Sequence, residues 1–152
     1  MSFRIVPVAA ADAEILAGLF AQIRSDAAAT HFHPHPFTDD EARTRAAYRG
    51  SDFYALMFWG EDAIGYGFLR GWDEGYETPS LGIYVAQAHR GTGAARTLMD
   101  HLHREARLRG AQAVRIRVQP GNARALGLYR KLGYRFLPET EAGQLVGLLE
   151  RL

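Results

Sequence analysis

Cysteine is absent from the 152-residue chain, which excludes disulfides, thiolate metal sites and a cysteine nucleophile. Lysine is nearly absent: Lys131 is the one lysine among 18 basic residues, the rest being arginine. Together with the many alanines and glycines, this reads as codon bias rather than function. Charge of one sign is also missing. A formal net charge of +1 argues against an electrostatic nucleic-acid binder. No apolar run approaches membrane length, and no charged-then-apolar leader opens the chain, so a cytoplasmic protein without a membrane partner is expected. There are no repeats, linkers or low-complexity segments. Residues 1–152 are therefore expected to form a single domain, and 47% apolar residues suffice for its core.

Against these absences stands one dense stretch, Leu81 to Ala95. It reads as a buried strand, a short polar turn and a glycine-rich entry into a helix that runs to about Arg109. Unpaired N–H groups and the helix dipole make such a turn an anion seat. Gly91 and Gly93 let a ligand approach the backbone closely. A phosphate-bearing cofactor is the first expectation. A Walker loop needs Gly-Lys-Ser/Thr, and the chain has no Gly-Lys pair. A dinucleotide fingerprint needs a third glycine where Arg96 stands, and an acid about twenty residues on, where Gln112, Val114 and Arg115 lie. Arg/Gln-x-x-Gly-x-Gly/Ala remains, matched by Arg90, Gly93 and Ala95.

A second signature follows after one helix and one strand. Pro120-Gly121 turns the chain, and Asn122-Ala-Arg-Ala-Leu-Gly-Leu-Tyr129-Arg-Lys-Leu-Gly-Tyr134 matches Asn-x-x-Ala-x-x-x-Tyr-x-x-x-Gly-Phe/Tyr. With both signatures in order over residues 79 to 136, the sequence resembles the GNAT superfamily of acyl-CoA-dependent N-acetyltransferases. A generic β-α-β unit would leave Asn122 and Tyr129 unexplained.

Pattern reading gives the order β-α-α-β-β-β-α-β-α-β-β. Strands are expected at Phe3–Val8, Asp52–Trp59, Ala63–Arg70, the opening stretch, Ala113–Gln119, Tyr134–Leu137 and Leu145–Leu149. Asp12 caps the first helix, and a capping box at Thr38-Asp-Asp-Glu41 opens the second. Residues 27–37, with two prolines, and 139–143 read as loops. The third helix turns Ala95, Leu98, Met99, Leu102 and Ala106 inward and Arg96, Asp100, His103, Arg104 and Arg107 outward, and Gly110 ends it. The class is α/β (α+β). The resemblance implies the GNAT fold: a mixed, twisted sheet of about seven strands with four helices on both faces.

The resemblance also implies roles. Acetyl-CoA would be the co-substrate, with no metal. Arg90, Gly91, Thr92, Gly93, Ala94, Ala95 and Arg96 would bind the cofactor, with the backbone amides from Gly91 to Arg96 seating its pyrophosphate. Ile83, Tyr84 and Val85 would pair with the pantetheine arm and offer an amide to the acetyl oxygen. The strand would splay from its neighbour to make room. Asn122 would contact the cofactor, and the Tyr129 hydroxyl would protonate the leaving thiolate. The competing roles are a helix cap for Asn122 and core packing for Tyr129. Glu77, then Glu74, are candidate bases, with Thr78 or Ser80 holding a water as the alternative. His31, His33 and His35 alternate as metal ligands can, yet no cysteine or fourth ligand accompanies them. A wall of His33, His35, Phe37, Trp72 and Tyr76 would suit an amino sugar or a peptide N-terminus, and the acidic loop 69–80 suits a cationic amine.

The expected function is acetyl transfer to a primary amine of a small molecule or peptide by direct attack. The rivals are O-acetylation of a sugar hydroxyl and a non-catalytic acyl-CoA sensing domain. A homodimer is a further possibility of the arginine-rich outer helix face and the final strand.

Overall fold

The computed structural model describes residues 2–152. Its centre is β2 (Phe53–Trp59), whose first six residues are all buried. Such a run needs cover on both faces of the sheet. It lies between β1 (Phe3–Pro7) and β3 (Asp62–Arg70), both antiparallel to it. β4 (Ser80–Val85) continues the meander, and the sheet then passes to β5 (Val114–Val118), β7 (Gln144–Leu149) and β6 (Arg135–Glu141). The seven-stranded order β1-β2-β3-β4-β5-β7-β6 contains one parallel pair, β4 with β5.

Adjacent residues of β3 show why helices cover both faces. Tyr66 meets Phe20 of α1 (Ala13–Ser25) edge-on, with ring centroids 5.3 Å apart. Its neighbour Gly67 faces the other way, where a Cβ would stand 3.0 Å from Leu102 and 3.2 Å from Leu98 of α3 (Ala94–Leu108). Side chains alternate along a strand, so α1 and α3 lie on opposite faces. The short α2 (Asp39–Ala47) packs chiefly on α1. Thr38 caps it, its hydroxyl accepting from the Glu41 amide at 3.0 Å. α4 (Ala123–Lys131) follows β5. The chain order is the one read from the sequence, and among the described residues no helix is long and apolar enough to cross a membrane.

Three local expectations are corrected. Asp12 does precede α1, but its carboxylate accepts from the Ala9 amide at 2.7 Å and not from the helix. Residues 139–141 belong to β6 and are not loop. As the outermost strand, β6 tolerates Pro138 and its glutamates, since one side needs no ladder partner. Ala142 and Gly143 alone make the turn, at φ 51° and 78°, the primed-turn geometry that fits strand twist. The third correction is His103, which is buried. Its Nε2 lies 2.7 Å from the Tyr134 hydroxyl, a partner outside its own helix.

Candidate active site

The parallel seam between β4 and β5 is a single registered pair, Ser80 with Arg115, plus the Arg115 amide donating to the Pro79 carbonyl at 3.0 Å. Beyond that the two strands part. The gap is a cavity of about 740 Å³ lined on one wall by Ile83, Tyr84 and Val85 and on the other by Arg117, Val118 and Gln119.

Backbone alternation sets what β4 presents to the gap. The Ala86 amide donates to the Ile64 carbonyl at 2.7 Å, so Tyr84, two residues back, uses its backbone on β3. Ile83 and Val85 then turn their N–H and C=O groups toward β5, where among the described residues no strand pairs with them. The Val85 carbonyl is taken by Arg90 Nε at 3.0 Å. The remaining amides form a row of unused donors along the cleft.

The glycine turn closes one end. Gly91 and Gly93 have φ of 77° and 90°, conformations a side chain disfavours. A Cβ on Gly93 would meet nothing within 4 Å, so the space above it is open. The first bond inside α3 runs from the Thr97 amide to the Gly93 carbonyl at 3.0 Å. The amides of Ala94, Ala95 and Arg96 are thus the helix's free donors. Ala95 lines the cavity, whereas Arg96 is exposed and pairs with Asp100. The Thr92 hydroxyl bonds back to the His89 carbonyl and stiffens the turn. Arg124, from α4, brings its guanidinium over the turn, 3.5 Å from where a Gly91 Cβ would sit. A cation beside a turn that leads into free helix amides is an arrangement that could seat an anion.

Arg90 faces inward. Its Nη2 lies 2.5 Å from Asp26, which also accepts from the Tyr84 hydroxyl at 2.7 Å and the Ala28 amide at 3.0 Å. Burial alone would raise the Asp26 pKa, but the bonds from Tyr84, Arg90 and Ala28 outweigh it and hold the carboxyl below its usual value.

Asn122 caps α4, its side-chain oxygen accepting from the Ala125 amide at 3.1 Å, and it also lines the cavity. Tyr129, two turns on, lines it too. No hydrogen bond holds its hydroxyl among the described residues, and burial pushes its pKa up to about 12. Its ring packs 5.7 Å from that of Tyr134.

A second cavity of about 780 Å³ lies at the joined end of the seam, lined by its registered pair Ser80 and Arg115. His31, Phe32, Arg117, Gln119 and Gln144 line both, so the two meet there. His33, Tyr76 and Glu74 line the second cavity, with Thr78 and Ser80. Glu77 is exposed and lines neither. His35 and Phe37 also lie outside both linings. The His35 ring lies 5.3 Å from Phe20, with Nε2 2.8 Å from the Tyr66 hydroxyl and Nδ1 2.7 Å from the Pro36 carbonyl oxygen. Phe37 is a core residue, and Trp72 stacks under Arg109. His35 is thereby separated from His31 and His33, which explains why the alternating triplet does not converge. The acidic loop is also used locally. Asp73 accepts from the Tyr48 hydroxyl and the Ser51 amide, and Asp52 Oδ1 accepts from the amides of Gly71, Trp72 and Asp73.

Residues the patterns did not single out are Asp26, Arg70, Arg117, Gln119, Arg124 and Gln144. One signal was available for two of them: Arg115-x-Arg117-x-Gln119 places three polar side chains on one face of a strand.

The fold has close counterparts. The GNAT domain of S. lividans PAT superposes with a TM-score of 0.82 at 21% identity, covering 97% of this chain and 90% of that one. The PaiA N-acetyltransferase of Thermoplasma acidophilum, in complex with coenzyme A, gives 0.79 at 15% identity over 99% of both chains. YncA of Salmonella typhimurium, with its cofactor acetyl-CoA, gives 0.74 at 21% identity over 99% of this chain and 94% of that one. The model of the acetyltransferase (GNAT) family matches residues 20–134. With that match across most of its length, a seven-stranded sheet parted at β4 and β5, and a glycine turn opening α3, the chain belongs to the GNAT acetyltransferase family.

Proposed function

We propose that the protein transfers the acetyl group of acetyl-CoA to a primary amine by direct attack. The observation that carries this reading is the junction of the two cavities at Arg117 and Gln119. A cofactor entering along β4 and an acceptor entering from the Glu74 side would meet there.

The pyrophosphate sits on the amides from Gly93 to Arg96 under Arg124. The pantetheine arm runs along β4 and uses the cleft-facing groups of Ile83 and Val85. One of those amides donates to the acetyl oxygen as it gains negative charge in the tetrahedral intermediate. The amine nitrogen attacks the thioester carbon, a C–N bond forms, and the C–S bond then breaks. The amine's proton leaves to Glu74, directly or through water held by Thr78 and Ser80. The departing thiolate takes the Tyr129 proton. With its pKa pushed up to about 12, Tyr129 holds that proton throughout the working pH range.

The test is release of free thiol from acetyl-CoA against a panel of amines, with mass spectrometry of the product. An N-acetylated product confirms the reading. Acetyl ester products would support O-transfer instead, and tight CoA binding without turnover on any acceptor would leave a sensing domain.

A further inference from the structure

The second cavity carries a charge pattern that the acidic loop does not suggest. Arg70, Ser80 and Arg115 stand side by side across three strands, since Arg70 registers with Ser80 and Ser80 with Arg115. Arg117 follows two residues along β5, on the same face. All line the cavity.

Their charges are not equally spent. Arg115 pairs with Glu141. Arg70 donates to the Pro34 carbonyl, a neutral acceptor that leaves its charge uncompensated. Arg117 has no carboxylate within ion-pair distance among the described residues. The other lining carboxylate, Glu74, likewise has no arginine partner. Two open cations and one open carboxylate therefore share a cavity. Its floor is flat at Gly82, where a Cβ would stand 2.2 Å from the Phe68 ring. Any side chain there would displace the aromatic floor beside Arg70.

We infer that the acceptor is a small primary amine that also carries an anionic group, a carboxylate or a phosphate, bound by Arg70 and Arg117. The inference rests on the acetyl-transfer reading for what happens to the amine, but not for the recognition itself. Guanidinium groups hold planar or tetrahedral oxyanions through paired donors. Glu74 faces the opposite charge, the ammonium of the incoming acceptor. A polyamine lacks the anion and brings extra positive charge toward Arg70 and Arg117.

The test uses the whole protein and two readouts, calorimetry on the CoA-saturated protein and thiol release with acetyl-CoA. The acceptor probes are phenylalanine, phenylalanine amide, phenethylamine, aminoethyl phosphate and spermidine. The expected result is that phenylalanine or aminoethyl phosphate binds and reacts at least about 10-fold better than the uncharged-end amines and spermidine. Preference between those two tells carboxylate from phosphate. Arg70→Gln and Arg117→Gln should each raise KM for the anionic acceptor about 10- to 100-fold, the scale of a lost bidentate ion pair; acetyl-CoA affinity should stay unchanged in Arg70→Gln, since Arg70 lies outside the first cavity. Arg107→Gln, on the exposed face of α3, should change neither.

Equal or better use of phenethylamine or spermidine overturns the inference while leaving acetyl transfer intact. So does an Arg117→Gln effect confined to acetyl-CoA, which would assign that side chain to the cofactor. Absence of binding by every anionic probe also overturns it. Binding of the anionic probes with no thiol release from any acceptor, in this set or in the wider amine panel, keeps the recognition inference and overturns the transfer reading.

Discussion

Arg90 and Asp26 stand sixty-four residues apart in sequence and 2.5 Å apart in space. Through this pair the arginine of the phosphate-turn motif is turned into the protein. It clamps the end of β4 through the Val85 carbonyl and ties both to the end of α1. Asp26→Asn keeps the shape and removes the charge. Acetyl-CoA KM should rise about 10-fold as the turn loosens, with kcat little changed. Stability should fall by about 2 kcal/mol, the scale of hydrogen bonds to a charged group. Denaturant titration and steady-state kinetics measure the two effects. An unchanged KM would reduce Asp26 to a stabilising residue.

Tyr129→Phe should lower kcat about 100-fold or more while leaving CoA affinity nearly unchanged, the pattern of a lost general acid. Because burial holds the Tyr129 pKa near 12, the wild-type rate should not fall between pH 7 and pH 10 through loss of that proton. A descending limb near 8 that the Phe variant lacks would place the Tyr129 pKa far below 12, whereas near-normal turnover of the Phe variant would reduce Tyr129 to a packing residue.

Gly93→Glu should abolish measurable CoA binding. It forces a side chain into a φ of 90° and places negative charge where the free amides of α3 face outward. Calorimetry reads the affinity directly. Arg124→Gln should weaken binding more mildly, about 10-fold, because it removes one cation and leaves the backbone seat intact.

His35 and His103 make stability depend on pH. Burial lowers the pKa of both below the ordinary 6.5. The hydrogen bond to the Pro36 carbonyl and then Glu41 oppose that shift at His35, while Arg70 and Arg45 reinforce it. Asp100 opposes it at His103, and Arg96 reinforces it. As pH falls through about 6.5, the unfolded chain takes up protons that the folded chain refuses, so stability drops until the folded pKa values are passed. Tm should therefore fall from pH 7 to pH 5. The His35→Gln, His103→Gln double variant, whatever its absolute Tm, should show a shallower slope across that interval. An equal slope would assign the acid sensitivity to other groups.

Both histidines also mark where sequence patterns lose their hold. Each bonds a tyrosine thirty-one residues away, and helical or loop periodicity carries no information about such a partner. His103 sits on the polar stripe of α3 by spacing, and Tyr134 converts that position to an interior one. Local chemistry was legible where it is self-contained. Thr38 caps α2, and Gly110, at φ 87°, ends α3 with the Ala111 amide bonded to the Ala106 carbonyl. Both motif halves fall on the elements their patterns imply. Glu139 to Glu141 misled because charge and a nearby proline signal a loop, and only position in the sheet reveals an edge strand. The parting of β4 from β5 has no local signature. It arises from where two strands distant in sequence are held, as does the meeting of Arg70 with Arg117.

That parting also has a mechanical side. Four strands, β1 to β4, and three, β5 to β7, are two half-sheets joined by one registered pair and the crossover through α3. A cofactor lodged between them would serve as a missing rung as well as a reagent. Saturation at 100-fold above Kd would add about 2.7 kcal/mol to stability. Hydrogen exchange should show it most at the Ile83 and Val85 amides, which should exchange fast alone and slow when CoA is bound. On this view the supply of acetyl-CoA does more than set the rate of turnover. It would also govern how much of the protein survives heat, proteases and time, so that the enzyme would persist best when its substrate is plentiful.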